Sequence, residues 1–197
     1  MNLLSVIIIN YNTPAMTERA ISQFIEAADG FNYEIILIDN DSVKKVTSAF
    51  LKKWSIKYIQ NTKNVGFAKA VNQGLDSASG DYILLLNSDA LVEKNTVKDM
   101  LAYLENNQPA GIIGPRFIYP NGQNQASSGK FPNFWRVFLR LTMLHRILIF
   151  AVYHRNFRDI KPVDWVSGGL MLIKRQVISQ IGLFDENYFF SVEDMDF

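Results

Sequence analysis

Short apolar runs alternate with stretches of helical periodicity along the first half of the chain, and this alternation constrains the fold more than any other feature. The runs are typical of strands buried on both faces of a sheet. Between them, apolar residues recur every three or four positions, as in amphipathic helices. We place strands at residues 3–9, 33–39, 56–61 and 82–86, and helices near residues 14–29, 46–53, 64–79 and 94–107.

Four strand–helix alternations predict an α/β fold with an open, mostly parallel twisted sheet flanked by helices and joined by right-handed crossovers. A Gly-Gly turn at Gly168 and Gly169 leads into one further apolar strand and then a charged helix start. Paired glycines either let backbone amides approach a ligand or only form a bulge, and the sequence leaves both readings open.

Composition narrows the class of protein. The 197 residues suffice for one full domain, and a formal net charge of +1 gives no global attraction to nucleic acid. The chain has no cysteine, which excludes disulfides and fits a reducing compartment. The start of the sequence, MNLLSVIIINYN, lacks the basic region and cleavage site of a signal peptide. We therefore expect a cytoplasmic protein.

Polar side chains follow three of the predicted strands. Because the carboxyl ends of parallel strands share one edge of a sheet, where ligands bind, we expect these residues to line one site. The alternative is that Asn, Asp and Ser only form the turns that any strand requires. The residues are Asn10, Tyr11, Asn12 and Thr13 after the first strand, Asp39, Asn40, Asp41 and Ser42 after the second, and Asn87, Ser88 and Asp89 after the fourth.

Two common nucleotide-binding motifs are absent from the sequence. No GxGxxG follows the first strand and no GxxxxGK[ST] occurs, which argues against a Rossmann dinucleotide site and a P-loop. A divalent ion could meet phosphate charge instead, since Mg²⁺ commonly uses one or two protein carboxylates together with phosphate oxygens. Asp89 is placed for such an ion, whereas Asp39 could accept hydrogen bonds from a base or a ribose.

Six segments, in order, resemble family 2 glycosyltransferases of the GT-A fold, in the rhamnosyltransferase-like branch. They are SVIIINYN, IILIDNDS, NVGFAKAVNQGL, GDYILLLNSDA, VSGGLMLIKRQV and GLFDENYFFSVEDMDF, and they extend from Ser5 to the last residue. The resemblance implies a single GT-A domain over residues 1–197, truncated at its C-terminus. Within it, residues 1–115 would form a Rossmann-like nucleotide-sugar-binding half, and residues 116–197 an acceptor and catalytic-base half.

The resemblance also implies roles for individual residues. The family's metal motif, usually Asp-x-Asp, falls on Asn87-Ser88-Asp89, so Asp89 is the expected ligand of Mg²⁺ or Mn²⁺. Asn87 replaces the first carboxylate and leaves fewer charges on the ion. Asp39 matches the aspartate that binds the nucleotide base. The nucleotide-sugar site would further contain Asn10, Tyr11, Asn12, Thr13, Asn64, Gly66, Phe67, Asn87, Ser88, Gly168 and Gly169, with Gly66 permitting close backbone approach.

The acidic end of the sequence matches the family's catalytic carboxylate pair at Glu193 and Asp194, with Asp194 as the base. An inverting transfer needs a carboxylate that takes the proton of the acceptor hydroxyl and a cation that holds the departing diphosphate. The aromatic run at residues 188–190 could exclude water and raise a carboxyl pKa there. The alternative is a solvated acidic loop or helix start.

The segment at residues 131–159 does not fit the sheet pattern. It mixes large apolar residues with arginines and histidines, and Arg140, His145 and Arg146 interrupt it too early for a membrane span. We interpret it as a basic amphipathic helix or helical pair. It could lie on an anionic membrane surface, form an oligomer interface, or pack on the sheet with its arginines reaching outward.

The leading hypothesis is an inverting, metal-dependent glycosyltransferase. It would move a hexose or deoxyhexose, such as rhamnose, from a nucleoside diphosphate sugar to a saccharide or lipid-linked saccharide in cell-surface polysaccharide synthesis, at the inner face of the membrane. One alternative is a non-catalytic fragment that binds nucleotide sugar. Another is a sugar-phosphate nucleotidylyltransferase, although the stretch NYNTPAMTER lacks the glycine-rich turn expected of that class.

Overall fold

The computed structural model describes residues 2–131, 160–189 and 193–197, and every structural statement below refers to these residues. The basic segment at 131–159 lies outside them except for Phe131, which is exposed. The predicted helix there therefore stays a prediction.

A six-stranded sheet forms the centre of the molecule. Its strands are β1 (Leu3–Asn10), β2 (Asn32–Asp39), β3 (Lys57–Gln60), β4 (Tyr82–Leu86), β5 (Ile112–Ile113) and, later in the chain, β10 (Leu170–Lys174). They lie in the order β3-β2-β1-β4-β10-β5. The pairs β1–β2, β1–β4 and β2–β3 are parallel, whereas β10 runs antiparallel to both β4 and β5. The open, mostly parallel sheet is thus confirmed, and the direction of β10 is a feature that the sequence did not reveal.

Two short antiparallel pairs lie outside this sheet. One joins β6 (Phe117–Ile118) to β7 (Asn124–Gln125), and the other joins β8 (Ser128–Gly129) to β9 (Trp165–Val166). The second pair brings the chain back to the Gly-Gly turn that precedes β10.

The helices begin close to the predicted positions. Thr13 is at the N-cap position of α1 (Pro14–Ala27) without a side-chain capping hydrogen bond. Pro14 is the first helical residue, where the missing proline N–H costs no hydrogen bond. The Thr47 hydroxyl accepts a hydrogen bond from the Phe50 N–H and so starts α2 later than predicted. The helices are α1 (Pro14–Ala27), α2 (Ser48–Lys53), α3 (Phe67–Ser77), α4 (Thr96–Asn106), α5 (Arg175–Ile181) and α6 (Glu193–Asp196).

The helices cover both faces of the sheet. Side chains of α1 and α4 pack on the face that carries Leu4, Val6 and Ile8, and those of α3 pack on the face that carries Ile7. This division follows from the period of two along a strand, which sends successive side chains to opposite faces. Gly74 lets α3 approach β1 closely, since a Cβ atom there would lie 2.5 Å from Cγ2 of Ile7.

None of the helices in the described ranges is long and apolar enough to cross a membrane. Because β1, β2 and β4 are parallel, their carboxyl ends lie along one edge of the sheet. The antiparallel strand β10 begins at that edge, directly after the Gly-Gly turn.

Candidate active site

Asp39 is completely buried at the end of β2, where the strand register pairs it with Asn10 of β1. Its Oδ2 atom accepts a 2.7 Å hydrogen bond from Asn10 Nδ2, and its Oδ1 atom accepts one of 2.8 Å from the Ser42 N–H. Asn10 Nδ2 also donates to Ser42 Oγ at 2.9 Å. The aspartate predicted to bind the nucleotide base is therefore held by the two loops that border it.

The same asparagine ties β1 to the start of α1. Oδ1 of Asn10 accepts a 2.8 Å hydrogen bond from Thr17 Oγ1, and Thr13 Oγ1 lies 3.4 Å from it. Thr13 Oγ1 is also within 3.2 Å of Ser88 Oγ, beyond the end of β4. Hydroxyl contacts thus connect the ends of β1 and β4. Thr17 was not predicted as a site residue from the sequence. Its position one helical turn after Thr13 could have indicated this role.

The loop after β1 keeps two of its predicted site residues accessible. Tyr11 is 50% exposed, and Asn12 adopts a left-handed conformation with φ of 59°. The Asn12 N–H donates to Ser42 Oγ at 2.9 Å, and its side-chain oxygen accepts from the Val43 N–H at 2.8 Å. The loops after β1 and β2 therefore support each other and leave the Tyr11 side chain half-exposed.

A second polar network lies on the opposite face of the sheet, because Asn40 points away from the side of Asp39. Asn40 Nδ2 donates to Asn64 Oδ1 at 2.8 Å and to the carbonyl of Gly66 at 3.2 Å. Its Oδ1 accepts from Asn61 Nδ2 at 3.1 Å and from the Val65 N–H at 3.0 Å. These bonds fix the NVGFA segment. Asn40 was expected at this edge of the sheet from its place after the second strand, whereas Asn61 was not assigned to the site from sequence.

Gly66 has φ of 85° and precedes α3. A Cβ atom at this position would lie 2.7 Å from the carbonyl oxygen of Phe189. The Phe67 N–H donates to the same oxygen at 2.9 Å. Phe189 of the same chain thus makes a close backbone approach at Gly66, and the predicted approach of a nucleotide there stays a prediction.

The end of β4 carries Asn87, Ser88 and Asp89, of which Asp89 is exposed and the other two are half-buried. The Asn87 N–H donates to the Gly169 carbonyl at 3.0 Å. This bond continues the antiparallel pairing of β4 with β10 into the Gly-Gly turn. The predicted metal motif and the predicted glycine turn are therefore neighbours.

Asp194 also contacts that turn, at the residue before Gly169. The Gly168 N–H donates to Asp194 Oδ2 at 3.1 Å, and a Cβ atom at Gly168 would lie 3.8 Å from the Asp194 Cβ and 3.7 Å from the Phe67 ring. This hydrogen bond fixes the position of the Asp194 carboxyl group against the turn.

Glu193 has a different environment from its neighbour. Burial, with a smaller contribution from the Asp194 charge, raises the pKa of the Glu193 carboxyl. Its buried Oε2 atom has no hydrogen-bond partner among the residues that the structure describes. Glu193 therefore favours the neutral form more than a solvent-exposed glutamate does.

A complete protein-built metal site is not formed by the described part of the chain. Across residues 2–131, 160–189 and 193–197, no three or more His, Cys, Asp or Glu side chains are grouped so that they could hold an ion. Asp89 offers one exposed carboxylate. This set fits an ion of the Mg²⁺ type only when a ligand supplies most of the oxygen atoms, as a diphosphate does.

Two contact series connect the predicted site residues. One runs from Asp39 through Asn10 and Thr13 to Ser88. The other runs from Asn87 through the Gly168–Gly169 turn to Asp194. Ser88 follows Asn87 directly, so the two series meet at the end of β4. Polar contacts, buried at Asn10 and Asp39, therefore connect the strand ends along this edge of the sheet.

A family model described as glycosyl transferase family 2 matches residues 5–182. A dolichol-phosphate mannosyltransferase of Pyrococcus furiosus is 28% identical over 91% of this chain and 48% of its own length. An N-acetylglucosaminyl-diphospho-decaprenol L-rhamnosyltransferase of Mycobacterium tuberculosis is 24% identical over 99% of this chain and 69% of its own length.

Among solved structures, the mannosyltransferase PcManGT of Pyrobaculum calidifontis, in complex with GDP-Man and Mn²⁺, superimposes with a TM-score of 0.62 at 18% identity. The match covers 98% of this chain and 49% of the other, so the likeness concerns the fold. The chain spans about half the length of this neighbour and of the Pyrococcus relative.

Proposed function

The chain belongs to glycosyl transferase family 2 and has the GT-A fold of its structural neighbours, and from this membership we propose that it is an inverting, metal-dependent glycosyltransferase. It would move a hexose or deoxyhexose from a nucleoside diphosphate sugar to a saccharide or lipid-linked saccharide hydroxyl. The relatives support a sugar donor of this class, since one is named a mannosyltransferase and another a rhamnosyltransferase.

The observation that carries the proposal is the position of the Gly168–Gly169 turn, which contacts both the segment that contains Asp89 and the helix that contains Asp194. Gly169 accepts from the Asn87 N–H beside Asp89, and Gly168 donates to Asp194. In this arrangement, a diphosphate at the end of β4 and an acceptor hydroxyl at Asp194 would lie on either side of the same turn. A direct displacement needs this order of leaving group, sugar and base.

In the proposed reaction, the acceptor hydroxyl gives its proton to Asp194 as its oxygen bonds to the anomeric carbon. The bond from that carbon to the diphosphate oxygen breaks with its electron pair, and the configuration at the carbon inverts. The Gly168 N–H supports this role because it binds Oδ2 and holds the carboxyl group in place. General-base assistance of this kind contributes about 10²–10⁴ in rate.

The donor would bind along the polar edge that Asn10 and Asp39 organise. A carboxylate has about four acceptor positions, and Asp39 uses one on each oxygen for Asn10 and Ser42. Asp39 can therefore still accept hydrogen bonds from a base or a ribose. Because Asp39 is fully buried, the loops after β1 and β2 must shift to admit that base or ribose. The exposed Tyr11 offers an aromatic surface beside that opening.

For the metal, we assign Asp89 as the protein ligand of Mg²⁺ or Mn²⁺. When bound with the donor, such an ion would supply charge neutralisation for the departing diphosphate. A single carboxylate and the neutral Asn87 fit an ion that arrives with its diphosphate.

We also propose a class of acceptor and a cellular location, from the composition and from the segment at residues 131–159. The absence of cysteine supports a reducing compartment, so we place the protein in the cytoplasm, at the inner face of the membrane if residues 131–159 form a basic amphipathic helix. A saccharide or lipid-linked saccharide would be reached there. The net charge of +1 gives no support to a nucleic-acid partner.

A melting screen tests the proposal at its first step. The chain is mixed with UDP, dTDP or GDP, each with and without Mg²⁺ or Mn²⁺, and its unfolding temperature is recorded. We expect at least one nucleotide to raise that temperature chiefly when metal is present, and release of the same diphosphate from its sugar donor once an acceptor is added. Stabilisation without any turnover would favour a fragment that only binds nucleotide sugar.

A further inference from the structure

Residues 184–189 run along one side of α3, antiparallel to the helix. Phe189 contacts the start of the helix, where its carbonyl accepts from the Phe67 N–H at 2.9 Å. Glu186 forms an ion pair with Lys69 at 2.8 Å. Phe184 contacts Asn72, one turn further along. Positions 69 and 72 are three apart, so both side chains lie on the same side of α3.

Asn72 makes the most complete of these contacts. It is 4% exposed, and its Oδ1 accepts from the Phe184 N–H at 3.0 Å. Its Nδ2 donates to the Phe184 carbonyl at 2.9 Å and to Glu186 Oε1 at 3.2 Å. One side-chain amide thus satisfies both backbone polar groups of a buried residue, as a neighbouring strand would. An aspartate at position 72 could replace only the hydrogen-bond acceptor of this amide, and a leucine could replace neither the acceptor nor the donor.

Phe184 connects Asn72 to α6. Its ring is buried and stacks on Phe197, with ring centroids 4.0 Å apart and planes within 8°. The Phe197 N–H donates to the Glu193 carbonyl at 3.2 Å, so Phe197 continues the turn that contains Asp194. α6 is therefore fixed at its end by Phe184 and near its start by the Gly168–Asp194 hydrogen bond.

We propose that Asn72 is a positioning residue for Asp194, because it fixes Phe184 and thereby the helix that carries the carboxylate. The inference rests on the proposed role of Asp194 as the base. Asn72 would contact neither the donor nor the acceptor, but it would determine the position at which Asp194 takes the proton. A misplacement of about 1 Å can cost about 10²-fold in rate, so a modest shift of α6 has a measurable effect.

The kinetic test uses Asn72→Asp and Asn72→Leu in the full chain. We expect kcat to fall about tenfold or more in both, with the KM for the donor changed less than about twofold, since donor groups are untouched. In an Asp194→Asn background, the same substitutions should change residual turnover little, because residues that act as a unit are non-additive. An equal loss in both backgrounds, or a rise in donor KM alone, would overturn the inference.

Amide hydrogen exchange at Gly168 provides a readout that needs no turnover. Asn72→Leu should speed this exchange about tenfold or more, because the Asp194 carboxylate that protects the Gly168 N–H loses its support. The matched control is Ser5→Ala, which removes buried hydrogen bonds to Glu34 and Gly80 at the opposite edge of the sheet and should leave Gly168 unchanged. Unchanged exchange in the Asn72 variant would refute the inference.

The two proposals fail in different ways. Wild-type turnover in Asp194→Asn would remove the base from the proposed function, whereas Gly168 exchange would still report on the anchoring. Loss of turnover in Asp194→Asn together with normal turnover and exchange in the Asn72 variants would leave the function in place and remove Asn72. If Asn72→Leu does not fold, Asn72→Asp carries both measurements.

Discussion

The backbone N–H of Gly168 donates a 3.1 Å hydrogen bond to Oδ2 of Asp194, which is 26 residues away in sequence. Gly169, the next residue, accepts a hydrogen bond from Asn87 at the end of β4. The turn therefore connects the end of β4, which is followed by Asp89, with α6, which contains Asp194. The backbone donor keeps one oxygen of this carboxyl group in place.

Replacing Asp194 with asparagine should reduce kcat about 10²–10⁴-fold, because the amide cannot take the acceptor proton. Nucleotide binding should stay near wild type, since we propose that Asp194 contacts the acceptor and not the nucleotide. Turnover and nucleotide affinity are measured on the same preparation. Asp196→Asn, in the same short helix and exposed, is the matched control and should retain turnover. The reverse pattern would assign the base to Asp196.

Asp89→Ala should remove the metal-dependent part of nucleotide stabilisation. A ligand at 100 times its Kd stabilises the folded state by about 2.7 kcal/mol, so the loss is visible as a smaller melting shift. Asp76→Ala, an exposed carboxylate near the end of α3, should behave as wild type. Equal shifts with and without metal, in Asp89→Ala as in wild type, would contradict the assignment of Asp89 as a ligand.

Gly66→Ala should destabilise the fold more than other glycine substitutions with the same sign of φ. Gly66 has φ of +85°, and an added Cβ would lie 2.7 Å from the Phe189 carbonyl oxygen. The controls Gly30→Ala and Gly122→Ala have φ of +87° and +81° with nothing within 4 Å. The controls should lose about 1 kcal/mol from backbone strain, and Gly66→Ala about 1–3 kcal/mol more. Urea unfolding measures the difference, and equal losses would mean that the contact with Phe189 is unimportant.

The stability of wild type should fall in acid partly through Glu34. Burial acts to raise the pKa of this carboxyl, but hydrogen bonds from Ser5 and Ser79 outweigh it, so the folded pKa is lowered. A lowered folded pKa gives stability that is fully present above the unfolded value, about 4.3, and is lost as pH falls through the folded pKa.

Glu34→Gln should therefore be less stable than wild type at neutral pH, and the difference should shrink below about pH 4. Urea unfolding from pH 7 to pH 3 checks this. Glu26→Gln, an exposed residue of α1, is the control and should show a small difference at every pH. A constant gap between wild type and Glu34→Gln over the whole range would show that Glu34 does not titrate with folding.

Several site features were readable from the sequence because they are local. Thr13 and Pro14 indicated the start of α1, since a cap and an N-terminal proline act within one turn. The polar residues after β1, β2 and β4 were placed on one edge because parallel strands must end together. Asn72 left a weaker signal, an amide four residues after Ala68 on a helix face that is otherwise apolar.

The sequence by itself determined the alternation of strands and helices and the family, because hydrophobic periodicity and ordered motifs are properties of neighbouring residues. Only the tertiary structure decided that β10 runs antiparallel beside β4, that Phe189 fills the space at Gly66, and that Asn72 holds Phe184. These contacts join residues about a hundred positions apart, and each depends on side chains meeting in three dimensions. No local periodicity records such a meeting, so the placement of Asp194 became visible only in the folded chain.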